Sequence, residues 1–293
     1  MYLNNHTKAV LYTIMSGSLF GVIGFFGLEI YKFGLSVEEL LFWRFTLASI
    51  IFYIISYRSI KLNQFKEFIP PFLLGILIYA PSTYLWFESI KLISSGLAMV
   101  VFYSFPVYVA IFSWIINKEI VTKTSIISIF IMLVGLILIA DFNNLTLDHK
   151  GLILALISAI LYGIYFFISK KLCRNIDPSL SSFMVCLGNA FGFILLLVLS
   201  KGFNYNYSYN VWFYLIAIAI IGTILPIVFL FKGLKEISEL EASILSVSEP
   251  VVSLLFGTFL LNERISLIQI IGIILIILSA ILIQFGKKQQ LQH

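Results

Sequence analysis

The chain has 293 residues, of which 60% are hydrophobic and only 11% are charged, and its mean hydropathy is +1.04. Soluble domains contain roughly 45–50% apolar residues, so this composition excludes a soluble protein and predicts an integral membrane protein. The net charge of +5 comes from basic residues spread over many loops rather than gathered in one patch. This distribution argues against a nucleic-acid partner.

Apolar stretches long enough to cross a bilayer, about 20 residues each, follow one another along the whole chain. They predict an all-α integral membrane protein with ten transmembrane helices. The first stretch is expected to remain as a helix rather than be cleaved as a signal peptide, because Glu29 ends it and no small-x-small cleavage site follows. The predicted spans are 10–28, 39–57, 68–87, 96–116, 125–140, 151–169, 181–199, 211–230, 242–260 and 266–284.

The basic residues of the short loops predict the orientation in the membrane. With the N-terminus inside, the cytoplasmic segments carry 13 Lys and Arg residues, from Lys8 to Lys288, and the other side carries 5. Both termini are therefore predicted to be cytoplasmic, in the plasma membrane, which is the inner membrane of a bacterium.

An internal repeat divides the chain into two halves. Residues 86–119 align without a gap with residues 230–263, at a spacing of 144, and match at 10 of 34 positions. The matches include Pro106 with Pro250 and also pairs of Lys and Glu, which are scarce residue types here and so carry most of the weight. The predicted repeats are 1–145 and 146–293, each with five helices.

An odd number of helices per repeat means that the second copy enters the membrane from the opposite side. The architecture is therefore an inverted repeat, in which the two halves can exchange conformations so that a central site opens first to one side and then to the other. This alternating access requires no enzyme chemistry.

The sequence also resembles the drug/metabolite transporter superfamily, and specifically its EamA-type members. The resemblance extends over essentially the whole chain and is most specific in "EPVVSLLFGTFLLNERIS" of the ninth span, followed by "FWRF" in the second. It implies secondary transport of small metabolites, often efflux of amino acids, through a central cavity between the halves.

Glu249 is the strongest candidate for a functional residue. At helical spacing Ser246, Glu249 and Ser253 share a small and polar face, so we expect the acid to point into the bundle. An unpaired charge at the bilayer centre costs at least about 2.5–3.5 kcal/mol, so the carboxylate needs a partner, a proton or water. It is expected to bind a substrate ammonium group or carry the coupling proton; the alternative is a structural hydrogen bond to a neighbouring helix.

Two of the prolines within the spans, and the one arginine there, are further candidates. Pro106 and Pro250 are expected to kink helices four and nine, either as hinges or only for packing. Arg44, in helix two, is expected to snorkel outward or to pair with Glu29 or Glu39; direct contact with a substrate carboxylate is the alternative.

The remaining site candidates are mostly aromatic. An aromatic cavity suits apolar or aromatic amino acids and also binds cations through the ring faces. Asn189, in helix seven, is expected to hydrogen-bond between helices, with substrate contact as the alternative. The predicted substrate-binding residues are Glu249, Tyr79, Tyr84, Trp86, Tyr103, Tyr162, Tyr165, Asn189 and Ser246, with Glu249 and Arg44 as the coupling or structural charges.

The sequence thus predicts a secondary transporter for amino acids or related compounds, working by efflux. An enzyme is not expected, because no histidine lies in a predicted span and only one acidic residue lies deep within one. The expected partners are a small-molecule substrate, the lipid bilayer and protons, with no cofactor or metal, in a monomer or homodimer. Uptake or exchange of a nucleotide-like metabolite such as S-adenosylmethionine, and a scaffold or lipid-handling role without transport, remain as alternatives.

Overall fold

The computed structural model describes residues 4–56, 65–140, 147–173, 176–199, 206–261 and 265–290, which are helical with no strand among them. Several helices are interrupted, and we number each such helix as one. Two of the interruptions are π-helical turns. The helices are α1 (Asn5–Phe20 and Ile23–Tyr31), α2 (Val37–Ser56), α3 (Phe65–Leu74, π turn Gly75–Tyr79, Ala80–Ile90), α4 (Ser95–Phe102 and Phe105–Asn117), α5 (Lys123–Ile139), α6 (His149–Cys173), α7 (Pro178–Leu199), α8 (Tyr209–Ala219, π turn Ile220–Ile224, Leu225–Glu236), α9 (Glu239–Ser246 and Ser248–Leu261) and α10 (Leu267–Gln290).

Eight of these helices in the described part of the chain are long and apolar enough to cross a membrane. The other two are α2, which carries Glu38, Glu39 and Arg44, and α5, which has only 17 residues. An integral membrane protein is thereby confirmed. The number of ten membrane crossings stays a prediction.

The interruptions recur in the two halves. The π turns begin at Gly75 in α3 and at Ile220 in α8, which are 145 residues apart, and the helix breaks include Tyr103 in α4 and Val247 in α9, which are 144 apart. The repeated spacing of the sequence thus reappears in the backbone. Like Pro106 in α4, the proline of α9 lies just after its break, where the first turn of a helix tolerates the missing N–H.

Helix α1 packs directly on α9 through glycines. A Cβ atom at Gly17 would lie 2.6 Å from the Ser246 carbonyl oxygen, and one at Gly21 would lie 2.6 Å from the Glu249 carbonyl oxygen. Two further glycines of the same helix have more room: a Cβ at Gly27 would meet nothing within 4 Å. The N-terminal half of α1 therefore needs glycine for close contact, as expected for small residues at a membrane helix interface.

We expect Gly17→Val to destabilise the protein by about 1–3 kcal/mol, because the added side chain must push α1 away from the α9 backbone. The measurement is thermal unfolding in detergent. Gly27→Ala is the matched control and should unfold close to the parent temperature, since its methyl group enters open space. Equal melting temperatures for the parent and the Gly17 variant would contradict the close contact.

Candidate functional site

A cavity of about 1170 Å³ lies within the helix bundle. It is larger than the roughly 300–1,000 Å³ of common small-molecule sites. Its lining comes from both halves of the chain, with α1 to α5 on one side and α6, α9 and α10 on the other. A site between the halves agrees with the central cavity that the sequence predicts.

The cavity reaches the surface at one end of the bundle. Its lining includes Leu35 and Ser36, which join α1 to α2, then Lys91, which follows α3, and Gln269 in the first turn of α10. No described residue from the opposite ends of these helices lines it. The mouth is therefore at the end where α4 begins and α9 ends, and the loop charges predict that this is the outer face.

Glu249 lies in this cavity, immediately after the break in α9. Its carboxyl group interacts electrostatically with Tyr103, which also lines the cavity and lies at the matching break of α4. Ser253, one turn further along α9, also lines the cavity and is exposed to it. The prediction that the acid points into the bundle is therefore confirmed; its role in binding or coupling stays a prediction.

Arg44 is 2% exposed and is held by α8. Its Nε donates to Thr223 Oγ1 at 2.7 Å, and its Nη2 donates to the Gly222 carbonyl oxygen at 3.1 Å. Both acceptors belong to the π turn of α8, where the altered backbone bonding frees a carbonyl group that a neighbouring side chain can satisfy. The charge of the same guanidinium also acts on Tyr79, at the end of the π turn of α3.

The expectation that Arg44 snorkels outward or pairs with Glu29 or Glu39 is wrong. Glu29 instead pairs with Lys32, and Glu39 accepts a hydrogen bond from Tyr207. Arg44 turns inward because backbone and hydroxyl acceptors from α8 satisfy its donors there. It also lines the cavity, and its charge acts on Glu249.

Aromatic rings form much of the remaining wall. Tyr79 lies 5.9 Å from Tyr162, and Phe102 lies 5.0 Å from Tyr162 and 5.6 Å from Trp86, measured between ring centroids. Together with Tyr103, these rings all line the cavity. Four of the six predicted aromatic residues, namely Tyr79, Trp86, Tyr103 and Tyr162, are thus brought together.

The other predicted site residues do not line the cavity. Tyr165 is buried behind the wall, stacked 4.6 Å from Tyr79. Tyr84 is outside the lining and interacts electrostatically with Glu88 and Glu38. Ser246 donates to the Ala242 carbonyl oxygen within its own helix at 2.9 Å.

Asn189 and Pro106 are also outside the lining. Asn189 Nδ2 donates to the Val185 carbonyl oxygen within α7 at 2.8 Å. The expectation that this group bonds to another helix is therefore wrong. Pro106 is buried beyond the break in α4, whereas Pro250 lines the cavity. The two prolines therefore share a place in the fold without sharing a surface.

Sequence reasoning missed Phe102, Thr83 and Thr223. Phe102 and Thr83 line the cavity, and Thr223 accepts the hydrogen bond from Arg44. One signal was available for Thr223: prolines 81 and 226 follow the two π turns at a spacing of 145 and mark distorted backbone in both halves. Among the described residues, no group of three or more His, Cys, Asp and Glu side chains could hold a metal ion.

Comparison with known proteins supports the fold and the class. A protein from Archaeoglobus fulgidus, named an uncharacterized transporter, is 28% identical over 80% of this chain and 84% of its own length; a second from that organism matches over 60% of this chain and only 62% of its own length. The uncharacterized transporter YyaM of Bacillus subtilis is 24% identical over 96% of this chain and 93% of its own. A solved crystal structure superposes with a TM-score of 0.82 at 17% identity, over 97% of this chain and 99% of that one.

The apolar helical bundle defines an integral membrane protein, and a cavity enters it from one end. The model of the EamA-like transporter family matches the chain twice, over residues 7–140 and 149–285. The chain therefore belongs to the EamA-like transporter family. This confirms the resemblance found in the sequence, and the family and its relatives support a transporter rather than an enzyme.

We expect Thr223→Val to destabilise the protein by about 1.5–3 kcal/mol, because it removes a hydrogen-bond acceptor from the buried guanidinium of Arg44. Thermal unfolding in detergent measures the effect. Thr258→Val is the matched control, since the Thr258 hydroxyl bonds only to the Leu254 carbonyl oxygen of its own helix in the described structure. If the two variants lost the same stability, the Arg44 bond would not be the cause.

Proposed function

We propose that the protein is a secondary transporter that moves small organic metabolites by alternating access, and that its substrates are amino acids or related compounds that it exports from the cell. The observation that carries this proposal is a cavity between the two halves that opens at one end of the bundle. A transporter caught in one of its two states has such a cavity. With the repeats at 1–145 and 146–293 in inverted orientation, the present state is open to the outside.

The chemistry of the wall supports the substrate class. Glu249 offers a negative group for an ammonium ion. The guanidinium of Arg44 has five N–H donors, of which Thr223 and Gly222 occupy two, so others remain for a substrate carboxylate. Aromatic rings of the same wall, including Tyr79 and Tyr162, provide apolar faces that also attract cations. A zwitterion with an apolar side chain fits all three features.

A nucleotide-like metabolite is the second candidate substrate. S-adenosylmethionine carries an ammonium group, a carboxylate and a base that stacks on aromatic rings, and the volume of about 1170 Å³ leaves room for it. In that case transport would be uptake or exchange.

For either substrate, we propose that the protein is in the inner membrane of a bacterium with both termini in the cytoplasm, as a monomer or a homodimer.

Solute counterflow in proteoliposomes distinguishes these substrates. We expect exchange of at least one amino acid in a broad metabolite panel, and a change of its rate when a pH gradient is imposed if protons are coupled. Exchange of S-adenosylmethionine alone would favour the second candidate. Absence of exchange for every solute, under every gradient, would contradict transport.

Glu249→Gln keeps the shape of the side chain and removes its charge, so we expect substrate exchange to fall by about tenfold or more if the carboxylate binds an ammonium ion or carries the proton. The measurement is initial counterflow rate across a range of pH. Glu67→Gln, at an exposed position outside the lining, is the control and should keep the parent rate. A folded Glu249 variant with parental rates at every pH would leave the carboxylate a structural role only.

A further inference from the structure

The end of the bundle opposite the mouth is closed by helix ends that meet at the start of α9. There Glu239 is 3% exposed and Glu241 is 1% exposed, in the first turn of the helix. Lys170, near the end of α6, donates to the carbonyl oxygen of Leu234 at 2.8 Å and so ties α6 to the end of α8. This closed end thus contains two buried carboxylates.

Each carboxylate contacts a different helix. Glu239 Oε1 accepts hydrogen bonds from Asn117 Nδ2 at 3.0 Å and from Ser113 Oγ at 3.3 Å, both on the last turns of α4. Glu241 Oε1 lies 3.2 Å from His6 Nε2, at the start of α1. The start of α9 is thus joined by its two acids to α4 and to α1.

The matching position at the mouth has no acids. At the repeat spacing of 144, Glu239 corresponds to Ser95 and Glu241 to Leu97, at the start of α4. Ser95 is exposed and lines the cavity mouth. The start of α4 lies at the mouth and the matching start of α9 lies at the closed end. At these two matching positions, only α9 carries carboxylates.

Burying a carboxylate has a large desolvation cost, and hydrogen bonds to the charged group offset it only while every donor is present. The free energy of the closed end therefore depends on the hydrogen bonds from Asn117 and Ser113 to Glu239 and on the ion-pair contact of His6 with Glu241. When the end opens, water can solvate both acids, so the cost disappears in the open state.

We propose that Glu239 and Glu241 form a charged latch that keeps the end of the cavity opposite its mouth closed. The latch sets the balance between the two states of alternating access, because an acid that loses its donor in the closed state favours opening. This proposal rests on the proposed transport function. At the start of α4, in the described part of the mouth, the matching residues Ser95 and Leu97 carry no charge, so we expect the two directions of opening to be controlled differently.

The test measures which side of the membrane reaches the cavity. Ser253→Cys, in a Cys173→Ser/Cys186→Ala background, places one thiol in the cavity wall. A membrane-impermeant maleimide is applied to right-side-out and to inside-out vesicles, and the ratio of the two labelling rates is the readout. The parent is expected to label faster from the side of the mouth.

Removing a donor should shift this ratio. We expect Asn117→Ala and His6→Ala each to move the labelling ratio toward the closed side by about tenfold, because the first removes a hydrogen bond to the buried Glu239 and the second removes the ion-pair contact of Glu241. Asn210→Ala and Lys8→Ala are the controls and should keep the parental ratio, because both side chains are exposed.

The charge itself is tested by a second substitution. Glu239→Gln added to Asn117→Ala should return most of the ratio toward the parent, since a neutral amide costs less to bury than a carboxylate. A parental ratio in both donor variants, or a shift that Glu239→Gln leaves undiminished, would overturn the latch. Counterflow by the parent is measured in parallel, so a chain that transports nothing is distinguished from a transporter without a latch.

Discussion

The buried guanidinium of Arg44 is the constraint around which the centre of the protein is arranged. A full charge within a membrane protein must be satisfied by neighbouring groups, and here the donors reach Thr223 and Gly222 of α8. Both acceptors lie in the π turn of the second half, and the charge of Arg44 also acts on Tyr79, which ends the π turn of the first half. One side chain of the first half therefore holds irregular backbone of the second half, and it does so beside the cavity.

The halves are interlocked rather than stacked. Helix α2 packs against the π turn of α8 through Arg44, and α7 packs against the π turn of α3, where a Cβ at Gly188 would lie 2.9 Å from the Ile76 nitrogen. The equivalence is incomplete at the cavity. Glu249 faces the cavity, whereas the aligned Phe105 is fully buried 4.8 Å from Tyr162. The same position thus packs the core in one half and lines the cavity in the other.

The sequence predicted the features that depend on hydropathy and on scarce residues. The apolar stretches mark the helices, and the spacing of Pro106 and Pro250 marks the breaks in α4 and α9. It failed for Arg44, because charge and depth alone favour snorkelling and the acceptors lie in a helix distant along the chain. Tyr84, Tyr165, Asn189 and Ser246 were misplaced since residue type does not show which face of a helix meets the cavity.

The distance along the chain between Arg44 and its partner also matters for synthesis. Thr223 follows Arg44 by 179 residues, so at 5–20 residues per second the ribosome needs on the order of 10–40 seconds to produce the acceptor after the donor. During that interval the first half is in the translocon or the membrane with a guanidinium whose final partners do not yet exist. Helix α2 must therefore enter the membrane before Arg44 reaches its native buried contacts. The N-terminal half completes its assembly only when α8 has been made.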